Sequence, residues 1–128
     1  MTDEAKLFET MGELLYVVAM ADGIVQSEEK EELKFMLDGH MWASGISWSF
    51  QYESAKKNDV EQVYLKALNF CQKYGPSPHY VEFIVAMKMI AKASDGIDND
   101  EDKAIRSFST DLISRFQADI EHLIQENK

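Results

Sequence analysis

The chain is poor in several things at once. Its one cysteine, Cys71, has no partner for an internal disulfide, so nothing asks for an oxidising compartment. Basic residues are the minority, 13 Lys and Arg against 23 Asp and Glu, for a net charge of −10. That balance excludes the basic patch or stripe of a nucleic-acid binder. It suits a cytoplasmic protein, with basic partners or divalent cations in reach. No apolar run is long: the longest uncharged stretch, near Leu14 to Ala21, is far too short for a bilayer. The opening Thr2-Asp3-Glu4 has no basic n-region, so no signal peptide is expected. Sustained period-2 alternation, Asn-Gly hairpin signals and low-complexity linkers are all missing, which removes sheet architectures.

What remains is 128 residues, 45% hydrophobic and 28% charged. This is enough for one soluble globular domain, 1–128, with a sizeable core. Apolar residues recur at helical spacing along most of it. Leu7, Met11, Leu14, Leu15, Val18 and Ala21 predict a helix over about 3–21. Leu33, Phe35, Met36 and Leu37 predict a second over about 28–40, with Gly39 near its end. Residues 41–49, with Trp42, Gly45 and Trp48, read as a loop. Ser47 or Ser49 then caps a short helix to about Lys57, interrupted at Asn58-Asp59. Val60, Val63, Tyr64, Ala67, Leu68, Cys71 and Tyr74 predict a fourth helix, ended by Gly75-Pro76. Ser77-Pro78 has the form of an N-cap and first-turn proline. It opens a fifth helix to about Ala93, with Val81, Ile84, Val85, Met87 or Lys88, and Ala91 on its inner stripe. Ile105, Phe108, Leu112, Phe116, Ile120, Leu123 and Ile124 keep the period to the end. Ser107, Ser109, Thr110 and Gln117 suggest a kink near Arg115. The expectation is an all-α domain of about six to seven helices.

One phrase occurs twice. Ala21-Asp22-Gly23-Ile24-Val25-Gln26-Ser27-Glu28-Glu29-Lys30 matches Ser94-Asp95-Gly96-Ile97-Asp98-Asn99-Asp100-Glu101-Asp102-Lys103 at a constant offset (95 − 22 = 73). Each copy follows an apolar segment and precedes a charged amphipathic one. This spells a duplicated helix–acidic turn–helix hairpin with pseudo-two-fold symmetry. Gly23 and Gly96 supply the positive φ of a helix stop. Ser27 and Asp100 are N-cap candidates, and the acids behind them suit the positive end of a helix dipole. Asp22 and Asp95 are left without a helix-capping job. Hairpins 12–40 and 80–115 are expected to superpose, with both turns on one side of the domain.

These residues resemble the tellurite-resistance TerB-like family, an all-helical fold with internal symmetry. Its signature is Ala-Asp-Gly, a hydrophobic residue shortly after, and a Glu seven residues past the Asp. Ala21-Asp22-Gly23 with Val25 and Glu29 matches it position for position. In the second copy Ser94 replaces Ala, and the downstream acid is Glu101 or Asp102, according to register. The resemblance implies a metal-binding or polar surface at these acids. It also implies a setting in bacterial stress response, as in tellurite resistance, and a relation to the N-terminal domain of membrane-anchored DnaJ-like co-chaperones. A protein partner, soluble or membrane-associated, goes with that setting.

Chemically, the turns suit a hard divalent cation, since carboxylates and turn carbonyls are its ligands. Calcium, magnesium and zinc are the candidates, and Asp22, Glu29, Asp95, Glu101 and Asp102 the candidate metal ligands. The run is not an EF-hand: Lys103 stands where that loop needs Gly. The bland alternative is a solvated turn with its Asp side chains on nearby N–H groups. Catalytic signals are weak. His40, His79 and His122 are isolated in sequence, without metal-ligand spacing, and Cys71 lies on an apolar stripe. Trp42, Trp48, Phe50 and Tyr52 either pin their segment to the core or anchor a partner. The expected function is a non-enzymatic adaptor or sensor. The alternative is a metal-dependent hydrolase using the same acids.

Overall fold

The computed structural model describes residues 3–21, 23–93 and 99–126, with side chains from Asp102 onward in the last stretch. It is all-α, with six helices among the described residues: α1 (Asp3–Ala19), α2 (Ser27–Leu37), α3 (Ala43–Lys56), α4 (Val60–Tyr74), α5 (His79–Lys92) and α6 (Asn99–Glu126). None is long and apolar enough to cross a membrane.

The bundle is built around α1. From Leu14 to Ala19 every residue is buried, because α3, α4 and α5 close on it from different sides and α6 touches it as well. A helix apolar all round belongs inside. Gly12 sets its closest crossing: a Cβ there would run into the Ile46 carbonyl and the Ser49 hydroxyl of α3. Ser49 uses the close approach to donate to the Glu9 carbonyl. Tyr16, wholly buried, sends its hydroxyl to the Asn58 carbonyl at 2.7 Å, tying α1 to the α3–α4 turn. Buried Phe50, Phe83, Phe108, Leu68, Met87 and Ile90 complete one core. Outside that centre, α1 pairs with α6 and α2 with α5.

Local chemistry explains the boundaries. Gly23 (φ 94°) and Gly39 (φ 76°) turn the chain after α1 and α2, a conformation that costs glycine little. The Asp59 side chain accepts the Gln62 N–H at 3.1 Å and caps α4. Ser77 Oγ accepts the His79 N–H at 3.2 Å before α5.

Several expectations are corrected. The segment 41–49 is no loop: α3 begins at Ala43 and carries Gly45 and Trp48 inside it. Packing on α1 outweighs about 1 kcal/mol of propensity lost at Gly45. No turn interrupts the chain near Arg115; α6 runs as one helix of 28 residues, since Ser and Thr weaken a helix by tenths of a kcal/mol without breaking its ladder. On α5, Val81 and Val85 are exposed, and Ile84 only half-buried. The inner face is Tyr80, Phe83, Ala86, Met87, Ile90 and Ala91. Phe35, expected inside, is 76% exposed. The N-cap of α2 is Gln26 rather than Ser27, and α6 starts at Asn99, ahead of Asp100. Gly96 and the turn geometry at Asp22 and Asp95 lie outside the described residues.

Candidate functional site

Of the five acids expected to ligate a metal, Asp22 and Asp95 lie outside the described residues, as does the side chain of Glu101. Glu29 is 1% exposed, and its Oε1 accepts the Gln26 N–H at 2.8 Å. It therefore serves as the N3 acid of a capping box on α2. Asp102 pairs with Arg106 one turn on, at 2.8 Å. Among the described residues, no group of three or more His, Cys, Asp or Glu is placed to hold a metal ion.

The fold assembles two polar clusters that sequence spacing hides. In the first, Lys66 Nζ on α4 lies 2.8 Å from Glu13 Oε2 on α1 and 2.8 Å from Glu53 Oε1 on α3. The other Glu53 oxygen accepts from Asn58 Nδ2 at 2.8 Å. Glu53 is buried while Lys66 reaches water. Burial pushes the Glu13 carboxyl above the usual carboxylate range, against the pull of Lys66. Burial also lowers the tendency of Lys66 to keep its proton, but its hydrogen bonds to Glu13 and Glu53 outweigh this and raise its pKa. Burial therefore decides the direction for Glu13, and the two carboxylates decide it for Lys66. The cluster floors a cleft of ≈ 510 Å³. Stacked Trp48 and Tyr52 stand at its edge, 5.2 Å between centroids.

The second cluster unites two histidines that are isolated in sequence. His40 Nδ1 accepts the Trp42 N–H at 3.0 Å, which places the ring proton on Nε2, donating to Glu82 Oε1 at 2.7 Å. His79 Nδ1 lies 3.8 Å from Glu82 Oε2, and its Nε2 lies 3.5 Å from Glu4 Oε1. Phe8 stands edge-on to both rings, 5.5 and 5.1 Å away, and stacks on Trp42 at 5.7 Å. Every polar group here has a structural partner, and the cluster locks the α2–α3 connection to α1 and α5. His122 pairs with Glu126 on α6, at 3.0 Å. Cys71 is buried, and burial holds its thiol up at about 12, so it is no nucleophile at neutral pH.

A third concavity has no reactive cluster in it. It is a groove of ≈ 990 Å³ between α2 and α3. It exists because α3 presents short side chains, Ala43, Ser44, Ser47, Ser54 and Ala55, where α2 passes. Leu33, Leu37 and Phe50 form its floor, and all three are buried beneath it. Lys30, Glu31, Lys34 and Asp38 line it from the α2 side, two cations and two anions, with exposed Phe35 beside them. Of the four clustered aromatics, Phe50 is core and Trp42 half-buried, while Trp48 and Tyr52 face solvent.

No family model matches the chain, and neither does any curated protein or solved structure.

Proposed function

We propose that the chain is a non-enzymatic adaptor domain whose α2/α3 groove takes an amphipathic helix from a protein partner. The observation that carries this reading is the groove itself: apolar floor, short-side-chain wall, a charged edge of Lys30, Glu31, Lys34 and Asp38, and an exposed phenylalanine at its lip. That is the surface a helix-in-groove complex uses, with apolar anchors every three or four residues and charges at the edge. The polar clusters support it indirectly, because their hydrogen bonds are spent on joining helices. The two Ala/Ser-Asp-Gly turns, through their TerB-like resemblance, favour a bacterial stress-response setting in the cytoplasm. Within that reading the turn acids Asp22, Glu29, Asp95 and Glu101 or Asp102 are a candidate cation site that modulates the adaptor.

Site-specific photo-crosslinking in the native host tests the reading. A benzophenone side chain replaces Gln51 in the groove or, as a control, Glu61 on the exposed side of α4. The expected result is a discrete adduct from position 51 alone, lost when Lys30→Glu and Lys34→Glu are added. Equal adducts from both positions, or none, would overturn it.

A further inference from the structure

The cleft over Lys66 exists because α3 and α4 both pack along α1 but scarcely on each other. They are joined beside Tyr16, whose hydroxyl donates to the Asn58 carbonyl, and they part from there. α3 runs with α1: Ser49 meets Glu9, and Glu53 meets Glu13 across the Lys66 ammonium. α4 runs against α1: Asn58, just ahead of it, lies by Tyr16, and Lys66 lies by Glu13. The cleft is therefore a trough on α1, closed at Glu13, Glu53 and Lys66 and open at Lys6, Trp48 and Lys73. Tyr52 of α3 and Phe70 of α4 stand between the two ends. The trough uses a different face of α3 from the groove, which takes Ser47, Gln51 and Ser54.

Six charged side chains line the trough, and they are sorted by sign. At the closed end two carboxylates share one ammonium, an excess of one negative charge. Glu13 meets Lys66 through Oε2 alone, and its Oε1 has no hydrogen-bond partner among the described residues. Burial holds the Glu13 pKa up, which a ligand cation beside Oε1 would offset. At the open end Lys6 and Lys73 accompany one carboxylate, Glu9, an excess of one positive charge. None of these three enters an ion pair among the described residues.

The ligand both ends accept is a zwitterion. A simple cation meets Lys6 and Lys73 at the mouth, and a simple anion meets Glu13 and Glu53 at the closed end, so each is rejected by one end. The spacing sets the length. Glu13 and Lys6 stand seven residues apart on one helix, about 10 Å along its axis. An extended peptide of three residues spans about 10 Å as well. Its middle side chain then falls between Tyr52 and Phe70, where an apolar or aromatic group packs. The volume of ≈ 510 Å³ is that of a small-ligand cleft.

We propose that the trough binds a free peptide of about three residues, with its ammonium against Glu13 at the closed end and its carboxylate between Lys6 and Lys73 at the mouth. This site is independent of the α2/α3 groove and stands or falls without it.

Isothermal titration calorimetry of the full chain with alanyl-phenylalanyl-alanine is the test, with circular dichroism confirming that each variant stays helical. The parent is expected to bind one equivalent saturably. The N-acetylated peptide and the C-terminal amide should each bind at least about tenfold more weakly, since each loses a charge-assisted contact. Lys6→Glu with Lys73→Glu, both exposed, should abolish the preference for the free carboxylate and keep that for the free ammonium. Glu13→Gln should do the reverse. A parent that binds none of the peptides up to millimolar concentration overturns the inference. Equal binding of the free and blocked peptides overturns it too, as does a carboxylate preference that survives the lysine reversal. ω-Aminooctanoate, a zwitterion of similar span, should bind more weakly than the peptide; equal binding would overturn the peptide as the ligand.

Discussion

Glu13 and Glu53, forty residues apart in sequence, place their carboxylates on the same ammonium, each 2.8 Å from Lys66 Nζ. Three helices meet at that nitrogen. Together with the Ser49–Glu9 and Tyr16–Asn58 hydrogen bonds, it fixes how α3 and α4 sit on α1. One cation between two partly buried anions is also an unbalanced arrangement, and its behaviour on mutation and titration follows from that.

Lys66→Met should cost about 3 kcal/mol in urea unfolding, the lower end for a broken buried pair, because the ammonium is partly in water while Glu53 is not. Glu53→Gln in the Lys66→Met background should recover much of the loss. A double-mutant cycle with strictly additive costs would show that the three groups do not act together.

The Glu13 carboxyl has a raised pKa in the folded chain. Above its unfolded value of about 4.3 the native state then holds more proton than the unfolded state. Stability therefore falls as pH rises through the window just above that value. Glu13→Gln should flatten this slope. Lys66, also raised, acts at the other end: its contribution is full below its unfolded pKa of about 10.4 and is lost as pH rises through the folded value. Melting temperatures across pH, parent against Glu13→Gln, measure both.

Leu15→Ala should cost about 2–5 kcal/mol, since that side chain is fully enclosed. Ile84→Ala should cost only about 1 kcal/mol, because half-burial forfeits less area and leaves no closed cavity. Denaturant midpoints decide, and equal costs would place Ile84 in the core.

Cys71 should resist thiol reagents in the folded chain and react at the rate of global unfolding, its thiolate being suppressed by burial. Labelling kinetics in rising urea measure this. Fast reaction in buffer alone would mean that α4 opens locally.

The acidic turns are tested by cation-dependent melting. If they hold a divalent ion, calcium, magnesium, manganese or zinc should raise the melting temperature by mass action. The gain should vanish in Asp22→Asn/Asp95→Asn and shrink as pH falls through the carboxylate range near 4. Glu101→Gln and Asp102→Asn, made separately, then identify the ligand of the second copy. Melting that ignores all four ions retires the cation site.

The all-α class, the position of α4 and the existence of α1, α2 and α5 are legible in the sequence, because apolar spacing at 3.6 residues is a local signal. The inner face of α5 is not. His79–Lys92 is apolar on nearly every side, so the stripe through Val81 and Val85 reads as well as the true one through Phe83, Met87 and Ile90. The same limit hides α3, whose Gly45 and serines look like punctuation until Gly12 and Ile46 meet across the α1–α3 crossing. One polar cluster joins α1, α3 and α4, the other joins α1, α5 and the α2–α3 connection, at separations no motif encodes. Their one local trace is that Glu82 stands three residues from His79, on the same helix face. Glu29 accepts the Gln26 N–H as the N3 acid of α2, and Gln26 takes the N-cap position expected of Ser27.

The central position of α1 has a consequence for how the chain is made. Residues 3–19 are synthesised before the helices that enclose them, and two of those walls, α4 and α5, extend to residues 74 and 92. At about 5–20 residues per second, roughly 4–15 s separate the end of α1 from the end of α5. Throughout that interval a helix whose residues from Leu14 to Ala19 are all buried in the finished fold is on the growing chain without its full enclosure. Nascent chains stalled before residue 92 should bind holdase chaperones through α1, and release from them should coincide with completion of α5 rather than of α3.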